Sequence, residues 1–388
     1  MKTGGDRILT THVGSLPRGQ ALSDLLVAKA NGKPCDAAAL EAETAKAVAF
    51  MVDKQIAAGI DIGNDGEAPR TDFVSYITDR MKGFGRGEGP TRPLQLDART
   101  FPIWFEQFNR SGRRRINIYG FPQAIGDVAY EDISGVRAEC DGLKAALASQ
   151  RKGFAETFMT AVSPGFAATA IINLHYDTYE SYVFALARAL RREYEFIVSQ
   201  GFILQIDAPD LAMERCGYFQ DKSLREFQDA IEMHVAALNG ALAGIPRDRV
   251  RLHACFGNRD GPHYHDVECP DILPIMYRAK VGAIMLPFAN PRHAHEIEAF
   301  RDIKLPDGML LIPGVIDTTN NYLEHPMVVA ERLCRAADCV GDRERIIAGA
   351  DCGFGTMAGD TFTAEDVVWA KLESLVEGAR LATKTLWG

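Results

Sequence analysis

Residues 181–207 read SYVFALARALRREYEFIVSQGFILQID. Two periodicities meet here. From 181 to 199 apolar residues recur at helical spacing, and the pattern stops at Gly201, which tolerates the left-handed backbone just past a helix end. Residues 202–207 (FILQID) then form a short apolar run closed by a carboxylate, the signature of a buried strand. The unit recurs: Ala37–Ala58 is amphipathic, stops at Gly59, and leads into 60–67 (IDIGNDGE). The remaining strand-like runs are 8–14 (ILTTHVG), 157–163 (TFMTAVS), 250–255 (VRLHAC), 281–288 (VGAIMLPF), 309–317 (MLLIPGVID) and 346–352 (IIAGADC). Eight strands alternating with helices predict an α/β chain folded as a single (β/α)8 TIM barrel. A doubly wound open sheet is the rival, weakened by the lack of a glycine-rich phosphate fingerprint after the first strand.

Working outward, the rhythm breaks from about 82 to 150, a stretch rich in Gly, Pro and Arg. It is expected to be an insertion after the second strand, with a hairpin at 115–121. There is no repeat or linker, so residues 1–388 are expected to form one domain. The formal net charge of −9 disfavours nucleic acid, which needs a basic footprint. The basic run 110–115 (RSGRRR) is expected to be a solvated loop. No apolar run approaches the ~18 to 20 residues of a membrane span, and residues 1–7 (MKTGGDR) contain no signal-like core. A cytoplasmic protein is expected, with its cysteines reduced.

A barrel gathers its chemistry at the carboxyl ends of its strands. There the eight runs present Ser15, Glu67, Ser163, Asp207, His253 with Cys255, Asp317 and Cys352. Residues i and i+2 of a strand share a face, so His253 and Cys255 converge if that face is the barrel interior, and Cys352 closes the eighth run nearby. One imidazole and two thiolates are a ligand set that suits Zn2+, and three ligands leave a fourth position open, as in catalytic sites. Such a zinc stabilises a substrate thiolate, which is the nucleophilic form of sulfur. His263, His265 and Glu268 lie just after the fifth strand. The histidines are candidates to contact the electrophile, and all three are candidates to complete the metal shell. Arg292, after the sixth strand, is a candidate to hold a carboxylate or sulfonate. Cys35, Cys140, Cys216, Cys269, Cys334 and Cys339 are expected to be ordinary thiols.

With these motifs in order, the chain resembles the catalytic barrel of cobalamin-independent methionine synthase. Residues 10–17 (TTHVGSLP) are similar to that barrel's opening motif, which contacts the amino-acid substrate. Residues 65–72 (DGEAPRTD) resemble the segment whose glutamate, here Glu67, holds the substrate amino group. Gln205-Ile206-Asp207 resembles the motif whose aspartate also binds substrate. His253, Cys255 and Cys352 match three of four zinc ligands. The resemblance implies catalytic or orienting roles for Glu67, Asp207 and Ser15. It breaks at Pro287, where the family has its fourth ligand, a glutamate. It breaks also at Thr319 for a histidine, at Ala208 for a glutamate, and near Asn173, where no folate-stacking tryptophan stands. In its ligand set the chain resembles the branch containing epoxyalkane:coenzyme M transferase. The resemblance therefore implies a zinc-dependent thiol alkyltransferase acting on a small-molecule thiol and an alkyl donor such as a methyl donor or epoxide, with homo-oligomer formation left open. The alternatives are a metal-independent lyase or decarboxylase on a barrel like that of uroporphyrinogen decarboxylase, and a non-catalytic zinc sensor.

Overall fold

The computed structural model describes residues 1–116, 120–360 and 362–388. Eight parallel strands form the barrel, at Leu9–Thr10, Ile62–Gly63, Glu156–Val162, Ile203–Asp207, Val250–His253, Ala283–Pro287, Leu310–Gly314 and Ile347–Ala348. Strands two to seven pair in sequence order, and strand eight pairs with strand one. Single parallel bridges from Thr11 to Ile62, Leu311 to Ile346 and Gly314 to Gly349 close the ring. Each strand falls within or beside its expected run, and the open-sheet rival is excluded by this closure.

Helices follow the expected punctuation. The Asp36 carboxylate accepts from Ala38 N and Ala39 N to start Ala37–Ala58, and Gly59 ends that helix at φ 88°. The helix expected from 181 begins two residues earlier, as Tyr179–Ser199. Thr178 supplies its capping box, a reciprocal side-chain and backbone bond at the first turn.

Two apolar layers result. Inside the barrel lie Leu9, Val13, Ile62, Phe158, Ile203, Ala283, Met285, Leu310, Ile312 and Ile347. A larger layer separates barrel from helices. The interior also holds a polar plug that the sequence reading missed. Arg251 is buried and stacks over Phe158 at 3.7 Å. It donates to Gln205 Oε1 (2.8 Å), Thr11 Oγ1 (3.0 Å) and the His12 carbonyl (3.0 Å). Burial pulls its guanidinium down to about 9 against the more distant Asp207 and Glu156; among the described residues no acid forms an ion pair with it, and these neutral acceptors replace only part of its hydration.

Between strands two and three, Met81–Gly85 pairs antiparallel with Gln123–Tyr130. The short helices Leu96–Thr100 and Pro102–Arg110 lie between them in sequence. Of the turn expected at 115–121, residues 117–119 lie outside the described residues. Helix Ser134–Ala148 buries Val136, Cys140 and Leu143, and its Glu139 is paired with Arg70 and Arg80. Residues 111–115 of the basic run form the expected surface loop after helix Pro102–Arg110, and its arginines find acids: Arg113 pairs with Asp260, Arg114 with Asp360 and Arg115 with Asp24. Long, flexible cationic side chains reach acids set by the tertiary fold, which a local reading of charge does not foresee. Among the described residues no helix is long and apolar enough to cross a membrane.

Candidate metal centre and active-site pocket

The barrel's register builds the centre. Val162 pairs with Asp207, and Asp207 with His253. These carboxyl-terminal residues therefore stand side by side at one level. Asp207 Oδ1 bonds His253 Nδ1 at 3.0 Å. Gln205 Nε2 donates to the same oxygen at 2.8 Å, so a hydrogen-bonded chain rises from Arg251 through Gln205 and Asp207 to His253. The chain fixes the imidazole with its other nitrogen, Nε2, turned away from Asp207. That nitrogen is buried and has no hydrogen-bond partner among the described residues.

Cys255 and Cys352 face it. The donor atoms of His253, Cys255 and Cys352 all lie within 4.8 Å of one another, and the two sulfurs are 3.9 Å apart. Two thiolates bound tetrahedrally to zinc at ~2.3 Å stand about 3.8 Å apart, so this spacing fits a shared ion. Cys352 is positioned by its neighbour. The Asp351 carboxylate accepts from the backbone N–H groups of Phe288, Ala289 and Asn290 at 2.8 to 3.1 Å, tying the end of strand six to the end of strand eight. Burial, then Asp317, raises Asp351 to about 7 against those donors. The Cys352 thiol donates to Cys255. That bond, helped by His253 and opposed by burial, holds Cys255 well below the ordinary thiol range. The orphaned nitrogen, the sulfur spacing and the soft donor set together fit a zinc-class ion.

Glu67 enters from the opposite wall. It is one of two non-glycine residues with a left-handed backbone among those described, at φ 53°. Arg18 Nη2 and Arg70 N hold its carbonyl at 2.7 and 3.1 Å. Gly14 makes room, because a Cβ there would stand 2.4 Å from Glu67 Oε1. Glu67 Oε2 is buried without a partner among the described residues. Burial first, then Asp207, raises the acid to about 7, although Arg70 and Arg18 pull it down. The folded chain thus holds a proton that an unfolded glutamic acid releases near its ordinary value of ~4.3. Glu67 therefore costs stability progressively as pH rises from there through about 7. In metal-free protein, Glu67→Gln is expected to leave the melting temperature unchanged at pH 4 and raise it by ~2 to 4 °C at pH 8, read by calorimetry. An equal effect at both pH values would sink this assignment.

The remaining candidates separate. Ser15 lines the pocket, its hydroxyl set against Gly353, where a Cβ would come within 2.0 Å of Oγ. Ser163 caps helix Pro164–Ala170 and donates to Asp210 Oδ1. Arg292 is exposed and donates to the backbone carbonyls of His263 and Tyr264. His265 meets Thr100 Oγ1 at 2.7 Å, Glu268 is 55% exposed beside His295, and His263 bonds Asp266. These loop residues do not join the donor set, because the loop after strand five folds onto the loop after strand six. Met285 pairs with His253, so Pro287 stands level with Cys255. It lines a small cavity of about 30 Å³ with Cys255, Cys352, His263, His293 and Thr319. Thr319 does not aim its hydroxyl at the pocket: its N and Oγ1 both donate to Asp317 Oδ1.

The pocket above the donor set encloses about 120 Å³. Helix Pro102–Arg110 lays Trp104, Phe105 and Phe108 over it, opposite Phe73 and Phe166. Trp104 Nε1 donates to the Asp260 carbonyl at 3.0 Å, fastening this wall to the loop after strand five. The sequence reading missed the wall. Its available signal was the aromatic cluster in 101–108 (FPIWFEQF), placed inside an otherwise polar insertion.

Three comparisons bear on this arrangement. Residues 8–91 match the family described as "Cobalamin-independent synthase, Catalytic domain". Methionine synthase of Sulfurisphaera tokodaii is 24% identical over 379 residues, 97% of this chain and 93% of its own. That of Saccharolobus islandicus is 24% identical over 382 residues, covering 97% and 95%. A B12-independent methionine synthase from Shewanella sp. W3-18-1, solved with selenomethionine, superposes with a TM-score of 0.72 at 19% identity, covering 98% of this chain and 99% of that one. The chain is thus similar to the cobalamin-independent synthase catalytic domain over residues 8–91, to these methionine synthases along nearly its whole length, and to the Shewanella enzyme in fold.

Proposed function

We propose that the protein is a zinc-dependent thiol alkyltransferase, joining a small thiol to an activated alkyl donor. The observation that carries the reading is the convergence of His253 Nε2, unpartnered and buried, with Cys255 and Cys352 at the floor of an aromatic pocket. The likeness to methionine synthases supports it. Bound by these three residues, zinc would supply a fourth position at which an incoming thiol is held as thiolate.

The chain's own residues do the rest. Asp207 keeps Nδ1 of His253 protonated and so leaves Nε2 free to ligate, the usual outer-shell device of metal-bound imidazoles. Glu67 Oε2, the open acceptor, takes a hydrogen bond from the amino group of an amino-acid thiol, and Ser15 supports it from the first loop. A bound ammonium would bring Glu67 back to its ionised form, which its value near 7 allows at neutral pH. The aromatic wall excludes water from the reacting sulfur and carbon, strengthening every charge interaction inside.

The test is direct. Zinc-loaded protein is titrated with homocysteine, cysteine, glutathione and mercaptoethanesulfonate, and the metal's coordination is followed by X-ray absorption. One thiol is expected to add a third sulfur to the zinc shell. A shell unchanged by every thiol would overturn the reading.

A further inference from the structure

A second group of ligating atoms lies outside the centre just described. His263 Nδ1, Asp266 Oδ2 and His293 Nε2 lie within 4.8 Å of one another. Their side chains are 3%, 1% and 3% exposed. Both imidazoles meet the same oxygen, His263 at 2.7 Å and His293 at 3.0 Å.

The outer nitrogens decide what this means. His293 Nδ1 lies 3.0 Å from Glu296 Oε2, and His263 Nε2 lies 3.3 Å from the backbone carbonyl of Arg259. A carboxylate or carbonyl behind each ring is the arrangement that fixes a metal-ligating histidine, because it places the proton on the outer nitrogen. Neutral rings so fixed turn two lone pairs onto an oxygen that is itself an acceptor. Three acceptor atoms at this spacing need positive charge between them. Either protons on the inner nitrogens supply it, or one divalent cation supplies it with both rings neutral.

The surroundings are those of a prepared site. His293 stacks flat on Phe256, centroids 3.7 Å apart and 5° from parallel. The Cys216 thiol lies 3.5 Å from the other Asp266 oxygen and 3.2 Å from the Met213 carbonyl. His263 is the second of the two non-glycine residues with a left-handed backbone, at φ 51°, a conformation kept only where its surroundings enforce it. The 30 Å³ cavity touching His263 and His293 has room for about one water. We propose that His263, Asp266 and His293 form a second metal site, taking a divalent transition ion of zinc's class with an open position toward that cavity.

The experiment loads the full chain with zinc alone, removes weakly held ion by gel filtration against a mild chelator, and counts metal by mass spectrometry. Wild type is expected to retain two ions, and His293→Gln and Asp266→Asn one each. Cys255→Ser is expected to retain one as well, but the other one. Cobalt substitution tells them apart: the thiolate-to-metal charge-transfer band persists in His293→Gln and is lost in Cys255→Ser. Melting curves confirm that each variant folds, and the near-isosteric Asp266→Asn carries the test where His293→Gln does not. One ion in wild type, lost only in Cys255→Ser, overturns the second site while leaving the first standing. Two ions unaffected by both His293→Gln and Asp266→Asn overturn it equally.

Discussion

Serine in place of Cys255 or Cys352 is expected to release the thiolate-bound zinc and to slow thiol alkylation by more than ~100-fold. Removing an outer-shell partner of a metal ligand already costs ~10 to 100-fold in affinity or activity. These variants remove an inner ligand. A serine hydroxyl stays protonated where a thiol ionises, and it is a hard oxygen donor where the site is built for soft sulfur. The substitutes expected from the sequence are not at hand. Pro287 stands level with Cys255 and cannot ligate, and Glu268 is turned out to solvent beside His295. His263, which shares the small cavity, is committed to Asp266. The control substitutions are Cys140→Ser and Cys334→Ser, on helices Ser134–Ala148 and Pro326–Val340, away from the pocket lining. Both are expected to retain the metal. Metal content and initial rate, measured under reductant because the two sulfurs are only 3.9 Å apart, give the result. Zinc held as tightly by both ligand variants as by wild type would remove these cysteines from the site.

What the sequence disclosed and what it hid divide along physical lines. The strands were readable because apolar residues must alternate with helices at fixed spacing to wall a barrel, and their ends were readable because chemistry collects there. Three of the strands are much shorter than their runs, Ile347–Ala348 within 346–352 among them. The other two are Leu9–Thr10, extended by the single bridge at Thr11, and Ile62–Gly63, within 8–14 and 60–67; the backbone beyond them leaves the ladder, at Gly14 with φ 148° and at Glu67 with φ 53°, and brings side chains into the pocket. Ser163 was read as one of the polar strand ends, and it serves as a helix cap. The same position suits both uses, and only the partner, Asp210, decides. Arg292 was expected to hold a substrate anion; the two carbonyls that occupy it come from a loop 28 and 29 residues away, a pairing with no local trace. The polar plug at Arg251 was hidden for a related reason. Its acceptors, Gln205, Thr11 and His12, come from three segments that meet only when the barrel closes.

Methyltetrahydrofolate, the family's donor by resemblance, is expected to serve this protein at least ~10²-fold more slowly than a small activated electrophile such as an epoxide or a methyl sulfonium. Breaking a carbon–nitrogen bond to a neutral amine leaves a strong base, which must be protonated as the bond stretches. A well-placed acid contributes ~10² to 10⁴-fold to such a step. The family's histidine at the end of strand seven is replaced by Thr319, whose hydroxyl is spent on Asp317. Ala208, at the end of strand four, offers a methyl group where the family has a carboxylate, and its N–H is bonded to the His253 carbonyl. Aromatic stacking is not what is missing, since Trp104 reaches the pocket from the insertion. Space is limiting as well: about 120 Å³ falls short of the ~300 to 1,000 Å³ usual for sites holding larger ligands. A folate would have to displace helix Pro102–Arg110 and break the bond from Trp104 to Asp260. A strained ring or a sulfonium needs neither the room nor the full proton, because relief of strain or neutralisation of charge drives the leaving group. The measurement supplies zinc-loaded protein with the thiol that alters its coordination, offers each donor in turn, and follows the alkylated thiol by mass spectrometry. Methyltetrahydrofolate turnover within the ordinary ~1 to 10³ per second of enzymes would refute the expectation and assign plain methionine synthesis. Alkylation by the small electrophile alone would show that the thiolate half of the family's machinery works here without its folate half.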